Sequence, residues 1–174
     1  MIDALWTGWR NQYLTGLPTP FEGSLSEGAS IFTRILQSGL SDEETFIVFR
    51  GDLVFAILNA YPYAIGHVMV LPVRQLAELS ELTRDEAVEL WESVAQVNEV
   101  LKAEYQPHGF NVGINLGPAA GGSVSEHLHV HVVPRWRGDA NFMTSVANAK
   151  TISEPLADTA ARIRRGWAQL YPRS

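Results

Sequence analysis

The chain has no cysteine. That excludes disulfides, a thiol nucleophile and any cysteine-ligated zinc site, while leaving the redox compartment open. Positive charge is also scarce: 13 Lys and Arg face 19 Asp and Glu, a formal net charge of −6. Nonspecific nucleic-acid binding runs on a basic surface, so no nucleic-acid partner is expected. An anionic ligand would need a site made locally positive by backbone amides, His, Arg and helix ends. No apolar run approaches the ~18 residues of a membrane span. The start, Met1-Ile2-Asp3-Ala4-Leu5-Trp6, has neither a basic flank nor a small-residue cleavage site. A cytoplasmic protein without a membrane partner is the expectation. Repeats and low-complexity blocks are absent, and 174 residues, 46% of them hydrophobic, suffice for one domain with its own core.

What is present is concentrated in one stretch, Gly121 to Trp136, which holds three of the five histidines. His127, His129 and His131 alternate with Leu128, Val130 and Val132. Period-2 alternation with β-branched residues predicts a strand, His127 to Val133, with all three imidazoles on one face. The Gly121-Gly122 pair ahead of it lets backbone approach a ligand closely. On a strand the outer two histidines stand roughly 13 Å apart, too far to share a zinc ion that needs nitrogens at about 2.0 Å. Glu126 is the one acidic neighbour, so no metal site is expected. A single histidine here would read as structural, but three would each need a polar partner if they were mere packing. Nucleophilic catalysis on phosphorus fits better. With an ordinary pKa of about 6.5 an imidazole is largely neutral near pH 7, and flanking histidines can orient it and face the phosphate.

Along the chain, Trp6, Trp9 and Tyr13 precede an irregular arm rich in Pro, Gly and Ser. Ile31, Phe32, Ile35 and Leu36 then predict a short helix ending near Gly39. Ser41 with Glu44 mimics a capping box, yet Phe46-Ile47-Val48-Phe49 reads as strand, so the cap is rejected. Thr45–Arg50 and Leu53–Leu58 read as a hairpin across Gly51-Asp52, and His67–Leu71 as a third strand closed by Pro72. Thr83-Arg84-Asp85-Glu86 is a capping box opening a helix with Leu90, Trp91, Val94, Val97, Leu101 and Tyr105 at helical spacing. Phe110–Leu116 reads as a fourth strand. A last helix from Ser153 carries Leu156, Ala160, Ile163, Trp167 and Leu170 on one stripe. The expected class is α+β: an antiparallel sheet of about five strands with helices laid on one face. Residues 1–40 form an arm and short helix, 41–150 the core and 151–174 the terminal helix of a single domain. His67 at a strand start reads as structural, and His108 beside Pro107 as exposed.

His127-Leu128-His129-Val130-His131-Val132-Val133 resembles the His-φ-His-φ-His-φ-φ signature of the histidine triad superfamily of nucleotide hydrolases and transferases. Phe55 to Asn59 with Gly66 to Pro72 looks like that family's nucleoside-binding strand pair, and Phe110 to Asn115 like its next strand. Leu5-Trp6-Thr7, the spacing from Asn115 to Gly122-Ser123, and Val133-Pro134-Arg135-Trp136 are similar to a subgroup, the actinobacterial diadenosine tetraphosphate phosphorylases. The resemblance implies an antiparallel sheet, transfer of a nucleotidyl group to His129, and phosphorolysis of diadenosine tetraphosphate to ADP and ATP. It places His131 on the phosphate side and gives His127 an orienting role. It assigns Asn59 to the ribose, and Asn115, Gly122 and Ser123 to phosphate.

Ser123 stands where many members carry Gln or Asn, which favours the phosphorylase subgroup. Some bacterial members hold zinc through cysteines near the N-terminus, and Phe21–Leu36 offers none. No cofactor is required, although Mg²⁺ accompanying the substrate is compatible. The partners implied are an adenine dinucleoside polyphosphate, phosphate, and further copies of the chain in a homodimer or homotetramer. Two alternatives stay open: a nucleotide or phosphoramidate hydrolase using water, and a nucleotide-binding regulatory protein with incidental turnover.

Overall fold

A computed structural model of the protein describes residues 28–120, 124–139 and 154–172. The readings made for Trp6 to Tyr13, for Gly122 and Ser123, and for a helix start at Ser153 lie outside these residues. Five strands, β1 (Ile47–Arg50), β2 (Val54–Leu58), β3 (Val68–Pro72), β4 (Gly109–Ile114) and β5 (Val130–Arg135), form one antiparallel sheet in the order β1-β2-β3-β5-β4. The helices are α1 (Ile31–Gln37), α2 (Asp42–Thr45), α3 (Arg84–Tyr105) and α4 (Leu156–Leu170). The α+β class and the strand count agree with the sequence reading. No described helix is long and apolar enough to cross a membrane.

The two long helices pack on one face of the sheet. Leu90, Val94, Val97, Val100 and Leu101 of α3 meet Val54, Ala56, Val68, Val70, Val130 and Val132, and Ile163 and Trp167 of α4 complete the cluster. At about 25 cal/mol per Å² of apolar surface removed from water, burial of these side chains is the main stabilising term of the fold. Trp167 also stacks on Phe49 of β1, with ring centroids 4.3 Å apart. The α3 cap forms as read: the Thr83 hydroxyl accepts from Glu86 N–H while the Glu86 carboxylate accepts from Thr83 N–H. Arg74 adds two hydrogen bonds to that carboxylate and, as the largest cause, holds its pKa down to about 2.

Four expectations need correction. The Ser41 capping box is real: Ser41 and Glu44 cap the single turn α2, because Phe46 takes a left-handed conformation at φ 59° that ends the turn and aims the chain into β1. The strand therefore starts at Ile47 rather than Thr45. Helices do not lie on one face alone, since α1 covers the other, where Phe32, Ile47, Phe55, Ile57, Met69 and Leu71 form a second cluster. Trp91 and Leu170, placed on apolar stripes by their spacing, are exposed at 50% and 46%.

The fourth correction concerns β5, which begins at Val130 and not at His127. Its ladder with β3 starts at the pair Val70 and Val130. The preceding backbone is committed elsewhere: Leu128 N–H donates to Leu76 O at 2.6 Å, and the His127 carbonyl is taken by a side chain. The histidine segment is thus a strand extension held by the loop after β3.

Candidate active site

The three triad imidazoles lie on the α1 side of the sheet, as the period-2 reading requires, and each is held differently. His127 is fully buried. Its Nε2 lies 2.8 Å from Pro72 O, and a carbonyl oxygen only accepts, so Nε2 carries the proton. Its Nδ1 lies 2.7 Å from the Ser30 hydroxyl. Both ring nitrogens are therefore engaged within the protein. Pro72 O is free for this bond because the β3–β5 ladder ends at Val70, leaving the end of β3 facing the histidine segment.

His129, 5% exposed, turns its Nδ1 to the carbonyl of His127 at 2.8 Å. That bond fixes the tautomer: the proton sits on Nδ1, and Nε2 keeps a lone pair with no hydrogen-bond partner among the described residues. Phe32 of α1 closes over both rings, with centroids 5.6 Å from His127 and 5.7 Å from His129. Burial pushes the His129 pKa below its ordinary value, partly opposed by the bond to the His127 carbonyl. The ring is neutral at neutral pH, and its free nitrogen is nucleophilic.

His131 is oriented through a residue that the sequence reading took as structural. Tyr63 N–H donates to His67 Nδ1 at 3.0 Å, so a neutral His67 carries its proton on Nε2. His67 Nε2 lies 3.0 Å from His131 Nδ1 and donates to it. A neutral His131 is left with its proton on Nε2, pointing away from His67. Asn115 Nδ2 lies 3.3 Å from that nitrogen. A flip of the amide, which leaves its shape unchanged, turns Oδ1 to accept the proton, and the tautomer chain requires that orientation. Burial, then the neighbouring His129, brings the His131 pKa down to about 4. The result is a lone pair on His129 beside an N–H on His131, with ring centroids 4.8 Å apart.

Of the residues singled out from sequence, the structure brings together His127, His129, His131 and Asn115. Asn59 lies at the end of β2, where its Oδ1 accepts from Tyr61 N–H at 2.9 Å and its own N–H donates to His67 O at 3.0 Å. That is the turn role its neighbours suggest. Arg135 is committed to Asp139 and Asn111. The sequence reading missed His67, Ser30, Thr33 and Gln75. For His67 the available signal was Gly66: at φ +72° it sits where glycine is favoured, and a Cβ there would lie 3.0 Å from Leu101 Cδ2. Ser30, just before the Ile31 to Leu36 stripe, offered a cap signal that the sequence reading did not use, and nothing in the chain tied it to His127, 97 positions away. Among the described residues no group of three or more acidic, His or Cys side chains is placed to hold a metal ion.

The HIT domain model matches residues 41–138, from α2 to the turn after β5. The chain belongs to the HIT family. Over 169 residues, 97% of this chain and 86% of the relative, it is 48% identical to an AP-4-A phosphorylase of Mycobacterium tuberculosis. It is 36% identical over 93 residues to a bis(5'-adenosyl)-triphosphatase of Dictyostelium discoideum, which covers 53% of this chain and 62% of that protein. Among solved structures, a HIT-like protein of Bartonella henselae superposes with a TM-score of 0.66 at 25% identity, over 82% of this chain and 98% of that one. The residues matched by the family model span all five strands and α3.

Proposed function

We propose that the protein is a dinucleoside polyphosphate phosphorylase that converts diadenosine tetraphosphate and phosphate to ADP and ATP. The observation that carries the chemistry is the free Nε2 of a buried His129 whose Nδ1–H is held by the His127 carbonyl at 2.8 Å. In this reading Nε2 attacks the phosphorus next to one adenosine, the bond to the bridging oxygen breaks, and ATP leaves. The nucleotidyl group stays on His129 until an oxygen of inorganic phosphate attacks the same phosphorus and releases ADP. His131 Nε2–H donates to the oxygens on which charge develops. His127 holds the triad, Asn59 contacts the ribose, and Asn115, Gly122 and Ser123 hold the phosphate that is cleaved or attacks. Mg²⁺ carried by the substrate's own phosphates is compatible with these steps and needs no ligand from the chain.

Phosphate rather than water as the second nucleophile is supported by the Mycobacterium tuberculosis relative named AP-4-A phosphorylase, whose similarity runs over 97% of the chain. Hydrolysis is the second reading, favoured by similarity over about half the chain to triphosphatases and an asymmetrical tetraphosphatase. Assembly as a homodimer or homotetramer belongs to the same proposal. Its support is the edge position of β4, with Val112 exposed there and Val88 and Trp91 exposed on α3. The deciding experiment incubates the protein with diadenosine tetraphosphate, with and without phosphate, and separates the products. ADP and ATP formed only with phosphate are expected. AMP and ATP formed without it would replace the phosphorylase by a hydrolase, and tight nucleotide binding with no turnover would replace both by a regulatory binder.

A further inference from the structure

Ser30, Thr33 and Gln75 take no part in the steps above, yet they converge on His127 from two elements remote in sequence. Ser30 is 1% exposed and precedes α1, where its hydroxyl accepts from Thr33 N–H at 3.1 Å. The same oxygen lies 2.7 Å from His127 Nδ1 and 3.0 Å from Thr33 Oγ1. From the loop after β3, Gln75 Oε1 accepts from Ser30 N–H and from the Thr33 hydroxyl, each at 2.8 Å, while its Nε2 donates to Gly28 O at 3.1 Å. We propose that Ser30, Thr33 and Gln75 are positioning residues that hold the ring plane of His127 against Pro72 O and, through the His127 carbonyl, the aim of His129.

The proton inventory leaves little freedom. Gln75 Oε1 faces two donors, one of them a backbone N–H, so the amide orientation is set and the Thr33 proton is spent on it. Pro72 O takes the Nε2 proton of His127. A neutral His127 therefore needs a donor at Nδ1, and the Ser30 hydroxyl, relieved by Gln75 of any duty to Thr33, supplies it. The capping role alone does not explain the choice. Asp caps a helix as well as Ser, but its carboxylate in this position has no proton to give Nδ1. With both nitrogens tied, the His127 ring cannot rotate, and its carbonyl stays where His129 Nδ1–H finds it. The proposal rests on reading His129 as the nucleophile.

The test pairs ring ¹⁵N spectra of the substrate-free protein with steady-state kinetics for wild type, Ser30→Ala and Ser30→Thr. The wild-type spectrum is expected to show His127 as one neutral tautomer protonated at Nε2. Ser30→Ala should shift the His127 Nδ1 resonance, whose hydrogen-bond donor is gone, and lower kcat about ten-fold with KM within about two-fold of wild type. Ser30→Thr, which keeps the hydroxyl, should restore both. Ser30→Gly removes the hydroxyl at a smaller cost to the helix cap and serves if Ser30→Ala does not fold; it should move the His127 signals in the same sense. Unchanged His127 signals in the folded variants, or an unchanged kcat in Ser30→Ala, overturn the proposal. The spectra need no substrate, so a wild type that fails to cleave diadenosine tetraphosphate overturns the proposed function and leaves the spectral result standing.

Discussion

The two faces of the sheet are built from the same strands and spent on different ends. Toward α3 and α4 the buried residues are almost all aliphatic, and the clamp at the edge is the Arg74 and Glu86 pair at the start of α3. Toward α1 the apolar cluster is smaller and shares its space with four histidines, a serine, a threonine and a glutamine. The buried hydroxyl and imidazoles there each have a named partner, and the exception among the described residues is the His129 Nε2. The contrast teaches that one face supplies stability through area, whereas the other holds lone pairs and protons in fixed directions. A side chain on the first face is replaceable by volume; one on the second is replaceable only by its hydrogen-bonding pattern.

The sharpest break of that contrast is His129→Ala. It should lower turnover on the order of 10⁴-fold or more, read by product release, while the unfolding midpoint hardly moves. The converse is Leu101→Ala on the α3 face. Denaturant unfolding should register a loss of about 2–5 kcal/mol, with kcat kept under conditions where the variant is folded. Next in size, His67→Asn removes the proton given to His131 Nδ1 and frees that ring to take either tautomer. A fall in kcat of about 10²-fold is expected, and a kcat equal to wild type would mean that His131 needs no fixed tautomer.

The faces also differ in their response to acid. His131 is held at about 4 in the folded protein, below the ~6.5 of an unfolded histidine. The unfolded chain binds more protons between those values, so this contribution to stability is full above about pH 6.5 and fades as pH falls toward 4. His127 and His129, also lowered by burial, act in the same direction. Stability measured across that window should decline, and the acid limb of kcat/KM should lie below 6.5; a limb at or above 6.5 would contradict a neutral, buried triad. The smallest effect is expected at Thr83→Ala, where loss of the α3 cap costs about 1 kcal/mol in unfolding and leaves kcat unchanged.

Much of this was legible in the chain. The strands were readable because valine and isoleucine alternate or run together, and α3 because Thr83 and Glu86 cap an apolar stripe. The triad stood out because three histidines at alternate positions have no packing explanation. Legibility failed where a local rule met a tertiary one. Ser41 and Glu44 do form their capping box, but a left-handed Phe46 was needed to fit a turn directly before a strand. Trp91 has the spacing of a core residue and faces outward, because periodicity counts positions without knowing where the sheet ends.

Local sequence by itself determined the elements, the class and the histidine pattern, since propensity, capping and period act between neighbours. Only the tertiary structure decided which nitrogen of each imidazole holds the proton. That depends on Pro72 O for His127, on the His127 carbonyl for His129, and on Tyr63 N–H acting through His67 for His131. Ser30 and Gln75 are drawn to the same point from 97 and 52 residues before His127. A tautomer is set by the atom opposite each nitrogen, and folding alone chooses that atom.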